Sequence, residues 1–476
     1  MTSDHRTAPP TVEATPFTYT VAARGLLENE GRIAEPLPAA AQALLDGEYD
    51  NMLACVRCGL CLTSCPTFVV TGHESEGPRG RIALVRALVE GRIPLTDGLI
   101  DREENCLACD ACTSVCPAGV KMEPIQVAVR AAIEIARDAG TVPSRGFVAS
   151  AIRAVVLGWL FPSMPRFRAV VWLVWLYRAS GLRSMARALG IVRLLGMRDA
   201  DDLLPAFTPD FLVPEGQVYP AAPETRDRAE VALFAGCVMS TAFGSTSHAT
   251  VRVLQRAGCD VACPAGQGCC GALNAHAGDR EGARALARQT IAAFEPGGDA
   301  PVVTNAAGCG AMLKEYGHLL ADDPAWAARA ARLSSRVRDV SEYLATRDLP
   351  AMGAIAEDTV VVAYQDACHL GHAQRITAAP RDLIRRIPGV TLRDLPDKAL
   401  CCGSAGVYNV THPEMARTLG DRKAEAVAAT GATIIVTANP GCQLQLQASL
   451  ARSGSRVKVM HLVDLLDAAT APGGRP

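Results

Sequence analysis

The chain has 476 residues, 49% of them hydrophobic, and a formal net charge of −2. That length holds two or three domains with well-buried cores. The near-neutral charge excludes a dominantly electrostatic nucleic-acid binder, and 18 cysteines gathered into motifs in so long a chain exclude a small disulfide-stapled scaffold.

Residues 1–40 are rich in Pro, Thr and Ala and read as a flexible N-terminal arm. The opening MTSDHRTAPPTVEATPF has neither an apolar h-region nor twin arginines. The expectation is a cytoplasmic protein, in a reducing compartment where thiolates stay free for metal. No stretch reaches the roughly 18 consecutive apolar residues of a membrane-spanning helix.

Residues 41–147 hold two copies of one cysteine run: Cys55-x2-Cys58-x2-Cys61-x3-Cys65-Pro66 and Cys106-x2-Cys109-x2-Cys112-x3-Cys116-Pro117. This is the bacterial ferredoxin spacing for [4Fe–4S] ligation. Three closely spaced thiolates converge from one loop, and the fourth, before a proline, turns toward a second site. Crossed ligation follows: Cys55, Cys58, Cys61 and Cys116 for cluster 1, and Cys106, Cys109, Cys112 and Cys65 for cluster 2. Zinc takes four ligands and does not require this run twice. Ile82–Val89 and Gln126–Arg137 have helical period. Arg79 and Arg81, just after the first run, either raise a cluster potential or simply begin a solvated helix.

Residues 148–228 form a basic aromatic segment and a linker. Residues 148–198 contain no Asp or Glu but eight arginines, with Trp159, Trp172 and Trp175 among them. Two or three helices are expected, broken at Pro162 and Pro165. The composition suits an interfacial membrane helix; the alternative is a helical layer whose arginines pair with acids elsewhere. Residues 199–228 contain five prolines and read as a linker.

The remainder is an internal repeat, 229–350 and 351–470. Cys237, the pair Cys269-Cys270 and Cys309 recur as Cys368, Cys401-Cys402 and Cys442, at offsets of 131, 132 and 133 residues. Strand-like runs Glu230–Gly236, Val302–Asn305, Thr359–Gln365 and Ile434–Asn439 precede these landmarks. Helical patterns Ser247–Arg256, Arg280–Phe294 and Pro413–Thr430 lie between them. Alternating strands and helices predict parallel sheets, with the cysteines just past strand C-termini. Each cysteine pair is followed by a glycine, which permits φ > 0 and lets neighbouring thiols face one centre. Four soft ligands per repeat suit a further Fe–S cluster or zinc, or a dithiol–disulfide pair. Cys259 and Cys263 have no counterpart and read as core or surface cysteines. His369 beside Cys368 reads as polar loop filler, with a supporting or ligating role as the alternative. Gly266-Gln-Gly-Cys-Cys-Gly271 matches a dinucleotide-loop pattern only literally. The fold class is thus a mixed α+β and α/β multidomain chain: a helical two-cluster ferredoxin-like module, then two tandem α/β repeats with parallel sheets.

The repeats resemble the cysteine-rich CCG domain of heterodisulfide reductases and of iron–sulfur subunits of flavin dehydrogenases. Their closing C-x-x-C is absent here, where Met312 and Gln445 stand in its last place. Over residues 45–465 the chain is most similar to iron–sulfur subunits of bacterial glycolate oxidase, or glycolate dehydrogenase. The carrying segments are Gly77-Pro-Arg-Gly-Arg-Ile82, Gly308-Cys-Gly-Ala311, Lys314-Glu-Tyr-Gly317, Leu400-Cys-Cys-Gly-Ser-Ala-Gly406, Thr411-His-Pro413 and Val436-Thr-Ala-Asn-Pro-Gly-Cys-Gln443. The resemblance implies an electron-transfer subunit with two [4Fe–4S] clusters and further Fe–S or zinc in the repeats. FAD would sit on a partner flavoprotein that oxidises glycolate to glyoxylate, because the chain shows no flavin or nicotinamide motif. Electrons would pass to a quinone or membrane acceptor, at the inner face of the cytoplasmic membrane. The alternatives are a related subunit acting on glycerol-3-phosphate or lactate, and a heterodisulfide-reductase-like thiol–disulfide reductase.

Overall fold

A computed structural model describes residues 36–223, 228–396 and 400–471. The expected N-terminal arm lies outside the described residues up to residue 35, and Ala39–Asp46 is already helical.

The cysteine-run module is helical. Its two long helices, Pro78–Val89 and Met122–Asp138, bury Ile82, Val85, Ile125 and Val129 in one core with Leu45 and Met52. The first begins on a proline, whose missing N–H costs nothing at a helix start. The two cysteine loops bend at equivalent places: Arg57 and Gly59 in one, Ala108 and Asp110 in the other, all with positive φ. Left-handed residues two and four positions after the first cysteine curl each loop around its sulfurs.

The basic segment is more broken than expected. It comprises Phe147–Arg153, a π-helical Ala154–Leu160, Met164–Ala179, Leu182–Ala188 and Ile191–Leu194. Pro165 does not break a helix; it occupies the first turn of Met164–Ala179. The following stretch is more than a linker. Arg198–Asp202 is helical, and strand β1 (Val218–Tyr219) adds an antiparallel edge to the first sheet.

Repeat 1 has strands β2 (Ala229–Phe234), β3 (Cys259–Ala262), β4 (Val302–Thr304) and β5 (Val337–Asp339). Repeat 2 has β6 (Val360–Gln365), β7 (Val390–Asp394), β8 (Ile434–Thr437) and β9 (Lys458–His461). Their orders, β1-β3-β2-β4-β5 and β7-β6-β8-β9, are the same once the extra β1 is set aside. All pairs other than β1·β3 are parallel, with β2 pairing β4 at Ala232↔Val302 and β6 pairing β8 at Val362↔Ile434. Helices Arg280–Phe294 and Pro413–Thr430 fall where their periodicity predicts.

The two repeats share one core, in which Val231, Leu233 and Val261 join Val362, Tyr364 and Val436. Helix Gly244–Arg256 of repeat 1 packs on helix Leu462–Thr470 of repeat 2, and helix Ala378–Arg385 of repeat 2 packs on Val340–Ala345 of repeat 1. Each repeat therefore lends its first helix to the other's last. Cys259 and Cys263 are fully buried in this core, as expected for cysteines that behave as small hydrophobes.

The glycines after the paired cysteines are required by the backbone. Gly271 and Gly403 have φ of +83° and +88°, and an added Cβ would meet Ala283 O at 3.1 Å and Ala416 O at 2.6 Å. Gly271→Ala and Gly403→Ala should each cost about 1–3 kcal/mol for the left-handed backbone alone. Gly403→Ala should cost more, because its neighbour is backbone at closer range. Denaturation midpoints equal to the parent's would refute the requirement.

Candidate iron–sulfur centres

Cys55, Cys58, Cys61 and Cys116 line one cavity, together with Gly59, Arg79 and Pro117. Cys65, Cys106, Cys109 and Cys112 line another, with Pro66, Arg81 and Leu107. Each run thus sends three cysteines to one cavity and its fourth to the other. Pro66 explains the turn: it opens helix Pro66–Thr71 and leaves Cys65 extended at its N-cap. The cavities adjoin, since Cys112 lies within electrostatic range of Cys61 and Cys65.

The donor chemistry fits a cationic iron–sulfur core. Burial pushes the Cys106, Cys109 and Cys112 thiols up, with neighbouring cysteines adding to the shift on Cys109 and Cys112. Four buried thiolates are tolerable only around a positive centre. Groups aimed at sulfur are already present: Ala108 N–H donates to Cys106 Sγ at 3.4 Å, and Thr67 Oγ1 lies 3.3 Å from Cys65 Sγ. Hydrogen bonds to the sulfurs are among the features that set a cluster's potential.

Arg79 and Arg81 differ. Arg79 is partly exposed, pairs with Glu74 and donates to Arg57 O at 3.0 Å in the first loop. Arg81 is 1% exposed, pairs with Glu76 at 2.7 Å and reaches toward Cys65 Sγ at 4.0 Å. It is a buried cation beside the second cavity, not a solvated helix start. Asn105 donates to Glu76 at 2.8 Å and accepts from Tyr408 at 2.6 Å, which ties this network to repeat 2.

In repeat 1, Cys237, Cys269, Cys270 and Cys309 form a continuous series. Cys269 is hydrogen-bonded to Cys237 and Cys270, and Cys270 Sγ lies 3.4 Å from Cys309 Sγ. Repeat 2 reproduces the series from Cys368 through Cys401 and Cys402 to Cys442. Both sets sit beyond the C-terminal ends of β2 and β4, or β6 and β8, where strand order reverses and α/β sheets open a crevice. Gly271 N–H points at Cys269 Sγ at 3.5 Å and Gly403 N–H at Cys401 Sγ at 3.4 Å, equivalent donors in the two repeats. None of these eight cysteines is exposed, which disfavours attack on an external disulfide.

The sets are linked in space in ways the sequence does not announce. Cys109 of the second cavity packs in one apolar cluster with Cys368 and Cys401. Leu157, Phe161 and Phe167 of the basic segment pack over Cys237 and Cys269. The same segment leaves Trp172, Leu173, Leu189, Leu194 and Leu195 exposed. Several of its arginines are engaged internally: Arg183 and Arg187 pair with Asp201, and Arg153 with Glu134. His369 is 9% exposed, with Nδ1 3.5 Å from Cys368 Sγ, so it is not solvated loop filler.

Three family profiles match the chain. The cysteine-rich CCG domain profile matches residues 231–314 and 362–447. A 4Fe-4S dicluster domain profile matches 51–120, and the linker-region profile of the glycolate oxidase iron-sulfur subunit matches 148–204. The chain is 39% identical over 434 residues to the probable glycolate oxidase iron-sulfur subunit of Bacillus subtilis (strain 168), covering 87% of this chain and 93% of that protein. It is 34% identical over 442 residues to the glycolate oxidase iron-sulfur subunit of Escherichia coli (strain K12), covering 92% and 98%. Lactate utilization protein A of Bacillus cytotoxicus is 31% identical over 240 residues, 50% of this chain and 98% of that protein. The two glycolate oxidase relatives are named as iron-sulfur subunits, and the module's profile is a 4Fe-4S one.

Cys116→Ser should disturb the cluster of Cys55, Cys58 and Cys61 and spare the one served by its own run. Electron-resonance spectra of the reduced variant check this; loss of the other signal would refute the crossed arrangement.

Proposed function

The chain belongs to the glycolate oxidase iron–sulfur subunit family, and from that premise we propose that it is the electron-transfer subunit of a glycolate dehydrogenase complex. A partner flavoprotein carries FAD and oxidises glycolate to glyoxylate. This subunit takes the electrons and passes them to a quinone or another membrane acceptor. It works in the cytoplasm, peripherally on the inner face of the cytoplasmic membrane. Among the described residues, no helix is long and apolar enough to cross a membrane.

The observation that carries this reading is the succession of three cysteine sets, the two cavities and repeat 2. The first cavity adjoins the second through Cys61, Cys65 and Cys112, and the second adjoins repeat 2 through Cys109, Cys368 and Cys401. Two [4Fe–4S] clusters held by the two cavities would each exchange single electrons, and a further Fe–S or zinc centre would occupy each repeat. The residues around them tune and insulate. Arg81 holds positive charge beside the second cavity, and Arg130 ties that loop to repeat 1 by donating to Cys106 O at 2.5 Å and His276 O at 2.7 Å. Leu157, Phe161 and Phe167 cover the repeat 1 cysteines, beneath a segment whose exposed Trp and Leu side chains suit a membrane or membrane-bound acceptor.

The test is purification of the untagged assembly under anaerobic conditions. Expected are a co-purifying flavoprotein and glycolate-dependent dye reduction, with lactate and glycerol-3-phosphate weaker. Absence of flavin, or preference for either rival substrate, would overturn the glycolate assignment. Cys270→Ala and Cys402→Ala should each remove one metal centre and leave the ferredoxin-type iron in place; unchanged metal content in both would return these cysteines to packing alone. Binding to anionic vesicles should weaken but persist as salt rises, with Trp172→Ser and Leu173→Ser removing the residue that salt leaves. Indifference to vesicles at low salt would make the segment a partner face.

A further inference from the structure

Three side chains from three parts of the chain meet beside the repeat 2 cysteines, none of them a cysteine. Glu123 comes from the first turn of Met122–Asp138 in the module. His276 closes the short helix Ala272–His276 after Gly271 in repeat 1. His369 opens the π-helical turn His369–Ala373 after Cys368 in repeat 2. A carboxylate oxygen and one nitrogen of each ring lie within 4.8 Å of one another. His276 Nε2 is 3.2 Å from Glu123 Oε1, and the two imidazoles stack with centroids 5.5 Å apart.

Three observations separate this junction from ordinary polar packing. His369 is 9% exposed, and its buried Nε2 has no hydrogen-bond partner among the described residues. With Nδ1 turned to Cys368, Nε2 is a lone pair or proton left unmatched in the interior, which native structures rarely leave unexplained. Next, the Glu123 carboxylate is 8% exposed and has Asp110 hydrogen-bonded to it, with Glu315 acting on the pair from a further element. Two buried carboxyls, Glu123 and Asp110, beside two imidazoles make a setting that a cation relieves. Finally, a cavity of about 310 Å³ lined by Glu123, Ala275 and Glu315 leads to the carboxylate and gives an ion a way in.

We propose that Glu123, His276 and His369 bind one divalent transition-metal ion, zinc or ferrous iron, where the module meets both repeats. Two imidazoles and a carboxylate are a donor set for either ion and differ in kind from the all-thiolate sets. Zinc–nitrogen bonds of about 2.0–2.1 Å put tetrahedral ligands roughly 3.3 Å apart. The His276–Glu123 edge is already at that spacing, and the His369 edge has to draw in. On binding, neutral His276 offers Nε2 to the ion and carries its ring proton on Nδ1, so the His276–Glu123 contact is replaced by a bond from each to the ion. Asp110, hydrogen-bonded to the carboxylate, orients it. The ion pins together three segments far apart in sequence, next to Cys368.

The test uses the full chain, purified anaerobically with its clusters, dialysed against EDTA and titrated with Zn2+ in a calorimeter. The expected result is one equivalent bound beyond any zinc the dialysed chain retains, and the zinc K-edge of that added equivalent shows a nitrogen/oxygen shell and no sulfur near 2.3 Å. Glu123→Gln and His276→Gln should each weaken zinc binding at least tenfold while iron and acid-labile sulfide stay at parent levels. His369 is left unchanged because it touches Cys368. An added equivalent bound through sulfur, no added zinc bound by the parent chain, or variants that bind as tightly as the parent would overturn the proposal. Should a variant lose its clusters, the edge of the parent's added zinc decides alone: a nitrogen/oxygen shell supports the site, and sulfur or no added zinc refutes it.

Discussion

Bringing four thiols together inside a protein is an electrostatic problem before it is a structural one. As neutral thiols they pack like small hydrophobes; as thiolates they repel one another and lose solvation. Burial pushes the Cys109, Cys112 and Cys368 thiols up, and hydrogen bonding from the neighbouring sulfur is the largest influence on Cys368. Only a positive centre reverses that balance. The left-handed residues in the cysteine loops, the glycines after each cysteine pair and the N–H groups aimed at sulfur all hold sulfurs in place for it. The backbone strain at Arg57, Ala108 and Asp110 is tolerable because the surrounding helices over-determine those loops.

The same constraint accounts for the burial of Arg81. A guanidinium at 1% exposure is costly unless its donors are satisfied, and here Glu76, Arg102 O and Thr67 take them. Glu76 in turn is shared with Arg102 and Asn105, and Asn105 with Tyr408. The charge beside the second cavity is therefore positioned by a network that reaches into repeat 2.

Much of this was legible in the sequence, for physical reasons that apply residue by residue. The cysteine runs are read because their spacing brings three thiols of one loop to one cavity, and Gly271 and Gly403 because only glycine takes that backbone without cost. Helices Arg280–Phe294 and Pro413–Thr430 are read because their buried faces recur with helical period. Contacts that join distant segments left no such trace. Nothing near Cys109 signals that Cys401 packs against it, and Glu123 looks like any acid in a first helical turn. His369 read as filler because adjacency to a cysteine does not reveal burial. The basic segment left open whether its arginines face a membrane or pair with acids elsewhere, because Asp201 and Asp202, which engage Arg183 and Arg187, lie beyond its end.

The exchange of helices between the repeats is reciprocal. Gly244–Arg256 against Leu462–Thr470, and Ala378–Arg385 against Val340–Ala345, are equivalent contacts related by swapping one half for the other. That is the arrangement of two protomers about a twofold axis, written into a single polypeptide. Each half alone would leave the same apolar helix face uncovered. One set lies under the basic aromatic segment and the other against the ferredoxin-like module, so their surroundings make a symmetric pair a directional one.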